Sequence, residues 1–447
     1  MTKDLSIKKG LDINIIGGIE SDNPPCSIPV KTCAVVPDDF TGLTPKAIVT
    51  VGDNVKKGTP IIIDKKNADI CLVSPISGKI KEIARGERRK ILHIEIEYDG
   101  KNDAVTFDTS NINTADDARL LLMKSGLWAQ MRQRPYDIIP NANSTPRDIF
   151  ITAFDSAPLA PSFDDILEGA ERELEEGVKL LKLLTNGNIY ISTRHNSLIK
   201  NVNGAIMINV KGPHPAGNVG VQIANIAPIN KGETVWTLDA ITLRRIGHLM
   251  INGTIDTSTI VALTGSEITT PKYITTIQGA SIDTLLNNEL KNGQNIRIIS
   301  GNVLTGTAIS LDSYLRFPYN HITVIPEGDD VADFLGWASL STKKMSVSRS
   351  FPGHFLFNKK FSPDARILGG RRAMIMSGEY DRVFPFDIYA EYLLKAIISR
   401  NIDQMEALGI YEVAPEDFAL CEYVDTSKIE IQKIVREGLD FLRKELE

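Results

Sequence analysis

Apolar positions along this chain fall into stretches of different period, and the period predicts the element. Over the first hundred residues they form short runs at 47–51, 61–63, 70–73 and 91–96, separated by Gly, Pro and Asp. Runs this short between turn residues read as strands of a small β domain. A polar stretch over 99–117 follows, then a short helical pattern over 118–127. Residues 149–154 form a buried-type strand. Ser162 with Asp165 three residues later marks a helix start, and Ile166, Leu167, Ala170, Leu174, Val178 and Leu181 recur at helical spacing until Asn186-Gly187. Residues 188–192 and 205–210 read as the next strands, so strand, helix and strand describe a right-handed parallel crossover and a Rossmann-like α/β domain. Strand signals return at 259–264, 274–277, 296–299 and 308–311 around a helix at 282–290, the pattern of a β-grasp module. After Pro326 the chain turns helical, with Pro385 and Asp387 ahead of an amphipathic run (Ile388, Leu393, Leu394, Ile397) and Ser427 opening a charged terminal helix.

Composition narrows the function classes. The chain has 447 residues, with 50 Lys plus Arg against 56 Asp plus Glu, and carries no long run of one sign. A nucleic-acid binder needs a concentrated basic face, so none is expected. No apolar run approaches the roughly 20 residues that span a bilayer. The polar N-terminus carries neither an apolar core nor a cleavage signature, which predicts a cytoplasmic protein without a membrane span. The four cysteines, Cys26, Cys33, Cys71 and Cys421, form no C-x-x-C pair and read as reduced thiols.

The chemistry-bearing motifs are mostly missing. The first α/β strand is followed by Asp155-Ser156-Ala157-Pro158-Leu159-Ala160-Pro161 in place of a G-x-G-x-x-G turn, which excludes NAD binding there. No nucleophile elbow or H-E-x-x-H occurs, the adjacent pairs Asp38-Asp39 and Asp164-Asp165 diverge in direction, and His195, His248 and His354 lack partners at ligand spacing. The phrases Val51-Gly52-Asp53-Asn54-Val55-Lys56-Lys57-Gly58-Thr59-Pro60 and Ser74-Pro75-Ile76-Ser77-Gly78-Lys79-Ile80 resemble the half-motifs of lipoyl-like, or barrel-sandwich, domains. Where such a domain carries its cofactor lysine this chain has Asn67, with Lys65 and Lys66 off register, so the barrel reads as structural.

The order barrel-sandwich, Rossmann-like, β-grasp, helices resembles a family of respiratory subunits. It is shared by the flavin subunit of complex I (from its Rossmann-like part on), the C subunit of the Rnf complex and the A subunit of the sodium-translocating NADH:quinone oxidoreductase. Three phrases resemble the last of these: Ile7-Lys8-Lys9-Gly10-Leu11-Asp12, Lys211-Gly212-Pro213-His214-Pro215-Ala216-Gly217, and Gly369-Gly370-Arg371-Arg372-Ala373-Met374 with Ala419-Leu420-Cys421. The resemblance implies a multidomain α/β fold: barrel-sandwich over 1–105, Rossmann-like over 106–253, β-grasp of the SLBB type over 254–328 and a helical domain over 329–447. It implies a peripheral subunit on the cytoplasmic face of the bacterial inner membrane, docked on the integral B subunit of a complex that uses NADH and exports Na+. Where flavin-binding relatives place a glycine-rich loop, residues 127–135 contain none, and Cys421 stands alone where Rnf-type relatives hold iron–sulfur clusters, so this chain is expected to carry no flavin or cluster. A quinone, ubiquinone or menaquinone, is the ligand the resemblance leaves. The residues able to contact it are His214, held rigid by Pro213 and Pro215 beside Gly217, with Arg371 and Tyr380 as further donors. Two other functions stay open at this stage, a stand-alone flavin-dependent NADH dehydrogenase and a lipoyl-like carrier or scaffold.

Overall fold

The fold comes from a computed structural model that describes residues 2–20, 24–291, 294–329, 341–349, 351–356 and 359–446. At its centre lies a six-stranded sheet in the order Thr2–Ser6, Ile206–Lys211, Ile189–Arg194, Ile149–Thr152, Val235–Asp239, Arg132–Arg134. All pairings are parallel except that of the Arg132–Arg134 edge. A parallel sheet needs both faces covered, and the two-residue period of a strand sorts its side chains between two cores. Ile149, Ile151, Ile189, Ile191, Trp236 and Leu238 pack with the barrel and β-grasp residues, whereas Phe150, Tyr190, Ile208, Val210 and Val235 pack with the C-terminal helices.

Departures from the predicted elements have local causes. The helix expected from Ser162 onward is two, Phe163–Ile166 and Glu171–Lys182. Ser162 Oγ caps the first by accepting from the Asp165 N–H at 3.3 Å, and Gly169, at φ 75°, turns the chain before the second begins. Thr2–Ser6, which a boundary at 105 assigns to the barrel, pairs instead with Ile206–Lys211 in the α/β sheet. Cys26–Ser27 likewise leaves the barrel to pair with Lys272–Ile277 of the β-grasp sheet.

The barrel-sandwich consists of a four-stranded sheet (Thr32–Val35, Ile91–Tyr98, Gly78–Arg85, Asn54–Val55) facing a three-stranded one (Pro45–Ala47, Pro60–Asp64, Cys71–Val73). Asn67 sits in the connection between Pro60–Asp64 and Cys71–Val73, its Oδ1 accepting from the Asp69 N–H at 3.1 Å, with Lys65 and Lys66 exposed beside it. In the β-grasp module the structure adds a strand to the four expected, His321–Pro326, whose Ile322, Val324 and Ile325 form a short apolar run and which lies in the middle of the sheet, between Ile296–Ser300 and Ser258–Thr264. The helix there is Ile282–Leu286, shorter than expected.

Helices Ala390–Ile398, Ile402–Ala407, Ala419–Val424 and Ile431–Leu446 form the C-terminal core. Ser427 does not open the last of them: it is buried, and its Oγ accepts from the Ile375 N–H at 3.0 Å. Of the helical stretch expected after Pro326, residues 330–340 lie outside the described residues, and among the described residues of 341–389 only the single turns Pro352–Phe355 and Tyr380–Arg382 are helical. The glycine-free segment 127–135 is core. Trp128 is fully buried edge-on against Trp236 with ring centroids 5.1 Å apart, and its Nε1 donates to Pro140 O at 2.9 Å.

Candidate functional site

The sheet order makes Ile149–Thr152 the point where connections diverge. The chain leaves it for Ile189–Arg194 on one side and returns later to Val235–Asp239 on the other. In a doubly wound sheet a crevice opens at this place, outside the carboxyl ends of the strands. A cavity of about 380 Å³ lies there, between the α/β sheet, the β-grasp loop 317–321 and the segment holding Pro415 and Glu416. Its walls include Phe154, Ala157, Phe163, Leu238 and Phe317; its polar lining includes His214, His321, Thr242 and Arg132.

His214 enters from the loop that follows the strand Ile206–Lys211. The loop is fixed by the N-terminal segment: the His214 N–H donates to Asp12 Oδ1 at 2.9 Å, and the His214 carbonyl accepts from the Leu11 N–H at 2.8 Å. Gly10 fits here because any Cβ would lie 2.2 Å from that carbonyl oxygen, at a φ of 148°. Two of the phrases that carry the family resemblance, 7–12 and 211–217, are therefore in contact. From the opposite side Gln222 Nε2 donates to the carbonyls of Ala216 and Gly217 at 3.3 and 3.1 Å.

The imidazole itself is 2 % exposed. Ser156 Oγ accepts from the Gly217 N–H at 2.8 Å and lies 3.0 Å from His214 Nδ1. The serine oxygen can still accept or donate a second hydrogen bond, so either tautomer of the ring satisfies Nδ1. Nε2 is buried and has no hydrogen-bond partner among the described residues. Burial lowers the His214 pKa against the opposing pull of the Asp155 and Asp12 carboxylates, keeping the ring neutral. His321, also buried, lowers in the same way against Asp155 alone, and its Nε2 is likewise unpartnered.

Arg134 closes the far side. Its guanidinium donates to Asp417 Oδ2 at 2.7 Å, Glu416 Oε1 at 3.0 Å and Glu412 O at 3.0 Å, tying the edge strand to the C-terminal segment. Glu416 keeps access to the cavity, and surrounding protein together with Asp417 pushes its pKa up to about 8 in spite of Arg134. Asp137, Asp155 and Asp239 line the cavity against Arg132, a balance that disfavours an anionic ligand.

Of the residues singled out in the sequence, His214 and Gly217 line this cavity, and Pro213 and Pro215 flank the histidine in the chain without lining it. Tyr380 lies elsewhere: fully buried in the C-terminal core, it donates its hydroxyl to Asp425 Oδ1 at 2.8 Å. Arg371 is on the surface, paired with Glu430 at 3.1 Å. Cys421 is buried among C-terminal helices, where burial and nearby carboxylates raise its thiol pKa. Asp155, Thr242, His321 and Glu416 were not anticipated. Asp155 follows directly on a predicted strand in an α/β pattern, a position that itself marks a ligand crevice.

Comparison with known proteins decides the family. Models described as the NqrA N-terminal barrel-sandwich hybrid domain, the NqrA second alpha/beta domain and the NQRA C-terminal domain match residues 5–99, 113–255 and 260–310. The A subunit of the Na(+)-translocating NADH-quinone reductase of Photorhabdus laumondii is 36% identical over 99% of this chain and 100% of its own length. Its counterpart from Vibrio atlanticus is 34% identical with the same coverage. This chain belongs to the family of Na(+)-translocating NADH-quinone reductase A subunits. Among solved structures an NAD+-reducing NiFe-hydrogenase aligns over 49% of this chain and 48% of its own at 12% identity with a TM-score of 0.35, too remote to bear on the site. In this member of the A-subunit family no helix among the described residues is long and apolar enough to cross a membrane, and no group of three or more His, Cys, Asp or Glu among them is placed to hold a metal ion.

Proposed function

We propose that this chain works as the A subunit of a sodium-pumping NADH:quinone reductase and that the cavity beside His214 receives the headgroup of a quinone, ubiquinone or menaquinone. In that assembly it sits peripherally on the cytoplasmic face, held by the other subunits and in particular by the integral B subunit. The observation that carries the ligand is the lining of that cavity, apolar sides from Phe154, Phe163, Leu238 and Phe317 with a few polar side chains, His214 among them. The ring of a quinone fills the space between Phe154, Phe163 and Phe317, and as a neutral molecule it tolerates the Asp137, Asp155 and Asp239 carboxylates. The chain binds and orients the ring; electrons and Na+ pass through groups on the other subunits. A photoreactive quinone applied to the intact complex should label the 213–217 loop and the wall around Asp155. Label confined to other subunits would overturn the quinone site and reduce this chain to a docking role.

A further inference from the structure

We infer that the single turn Pro352–Phe355 is a bilayer contact, which inserts Phe355 and Leu356 among anionic lipid headgroups while neighbouring lysines meet the phosphates. The inference is independent of the quinone site and rests only on the peripheral placement proposed above, which brings a membrane surface within reach. Over 341–372 the chain carries eight Lys and Arg against one acidic residue, Asp364, whereas the whole chain has 50 against 56. Ser, Phe and Gly separate these basic residues, so no run of one sign displays them, and the fold draws several together. Lys359 Nζ donates to Thr342 O at 3.0 Å, which sets it beside Lys343. Gly353 packs so closely on the same stretch that a Cβ there would lie 2.2 Å from the Lys344 carbonyl oxygen.

The segment sorts its apolar residues into two sets. Phe351 and Phe361 are buried, with Lys344 Nζ 5.6 Å from the ring centroid of the first and Lys359 Nζ 5.4 Å from that of the second. The backbone of Phe361 donates to Asn14 O and accepts from the Ile16 N–H, both at 2.9 Å, which fastens the segment to the N-terminal stretch. Phe355 and Leu356 instead face solvent, 60% and 39% exposed, although the turn is held by bonds from the Leu356 N–H to Gly353 O and from the Lys359 N–H to Leu356 O, both at 3.0 Å. An aromatic ring held outward by an ordered turn is stabilised only when another apolar phase receives it. Around it the exposed charges are Lys343, Lys359 and Lys360, the last reaching Glu20 at 3.0 Å. An acidic protein surface would match the lysines but leave Phe355 and Leu356 against carboxylates. An anionic bilayer offers phosphates at its surface and hydrocarbon just beneath, which suits both sets of side chains. Because the rest of the chain is acidic on balance, the same bilayer repels it and draws this face, so the contact also orients the subunit.

The test sediments the purified full chain with vesicles of phosphatidylcholine alone or of phosphatidylcholine mixed with phosphatidylglycerol. The wild-type chain should bind the mixed vesicles about tenfold more tightly, and added salt should erase the difference. Lys359→Glu combined with Lys360→Glu should abolish the preference. Phe355→Ser should weaken binding to the mixed vesicles about tenfold, the size of one aromatic side chain lost from an apolar phase. These positions are exposed, so the variants should melt like the wild type. Insertion has its own readout: in Phe355→Trp the emission of the added indole should move to shorter wavelength when mixed vesicles are added. Absence of binding to the mixed vesicles, or equal binding to both kinds, would overturn the bilayer contact and leave an acidic protein surface as the occupant. Salt-sensitive binding that Phe355→Ser leaves intact, with no spectral shift in Phe355→Trp, would overturn insertion. Either result leaves the peripheral placement standing, since that reading fails separately, if the wild-type chain does not sediment with membranes carrying the other subunits.

Discussion

The polar residues around the cavity differ in how much the chain depends on them. Arg134 and Asp417 are both almost wholly buried and pair at 2.7 Å, with Gly220 so close that a Cβ there would meet Arg134 Nη1 at 2.4 Å and Asp417 Oδ1 at 2.5 Å. Removing one partner of such a pair strands the other charge, so Asp417→Ala should cost about 3–5 kcal/mol in urea unfolding. Glu416 supplies a remaining contact to Arg134, and a loss well under 1 kcal/mol would show that it suffices alone. Gly10→Ala should act differently. Its Cβ would push the His214 carbonyl, so quinone binding should fall more than stability does, measured by quenching of tryptophan fluorescence with tetramethyl-1,4-benzoquinone beside a thermal melt. At this scale the sequence displays His214 through its two prolines. It marks Asp155 by its place after a strand and hides His321, because the cavity they share forms only when segments far apart in the chain meet.

Elements follow the same rule: those with a local signal can be read and those defined by distant pairing cannot. Ile149–Thr152 and Glu171–Lys182 announce themselves by apolar period. Thr2–Ser6 is a polar strand whose only reason to exist is the sheet edge beside Ile206–Lys211, and Gly78–Arg85 spreads its buried positions among charged ones. Packing between helices is equally invisible until they meet. Glu171–Lys182 crosses Ala240–Asn252 at two glycines: a Cβ on Gly247 would lie 1.7 Å from Glu173 O, and one on Gly177 would lie 2.6 Å from Leu243 O. Gly247→Ala must therefore force the helices apart, and a destabilisation of about 1–3 kcal/mol is expected in chemical denaturation. His248 next to it, paired with Glu173 at 2.9 Å, should lose that contact in the same variant, visible as a changed imidazole NMR signal.

The whole molecule is built around a mostly parallel sheet between two cores, with its ionisable cavity where the modules converge, and this arrangement sets how stability responds to pH. His214 and His321 have lowered values in the folded chain because burial disfavours their charged forms. Below the unfolded value of about 6.5 the unfolded chain takes up protons that the native rings refuse, so stability falls as pH drops through that range. Glu416 works in the other direction. Its raised value, about 8, means that the native state holds a proton the unfolded state gives up near 4.5, so its contribution is complete below 4.5 and lost as pH rises through 8. Between the folded histidine values and 6.5 two rings act against one carboxyl, and above 6.5 the carboxyl acts alone. Among these three groups the stability maximum therefore belongs near pH 6.5. Melting temperatures followed from pH 5 to 9 should decline on both sides of that point, with Glu416→Gln flattening the alkaline limb and the pair His214→Phe and His321→Phe flattening the acid limb. Asp12, Asp155, Asp137, Asp417 and Arg134 face these groups and remain in all three variants, so an unaltered alkaline limb in Glu416→Gln would assign that limb to a different group.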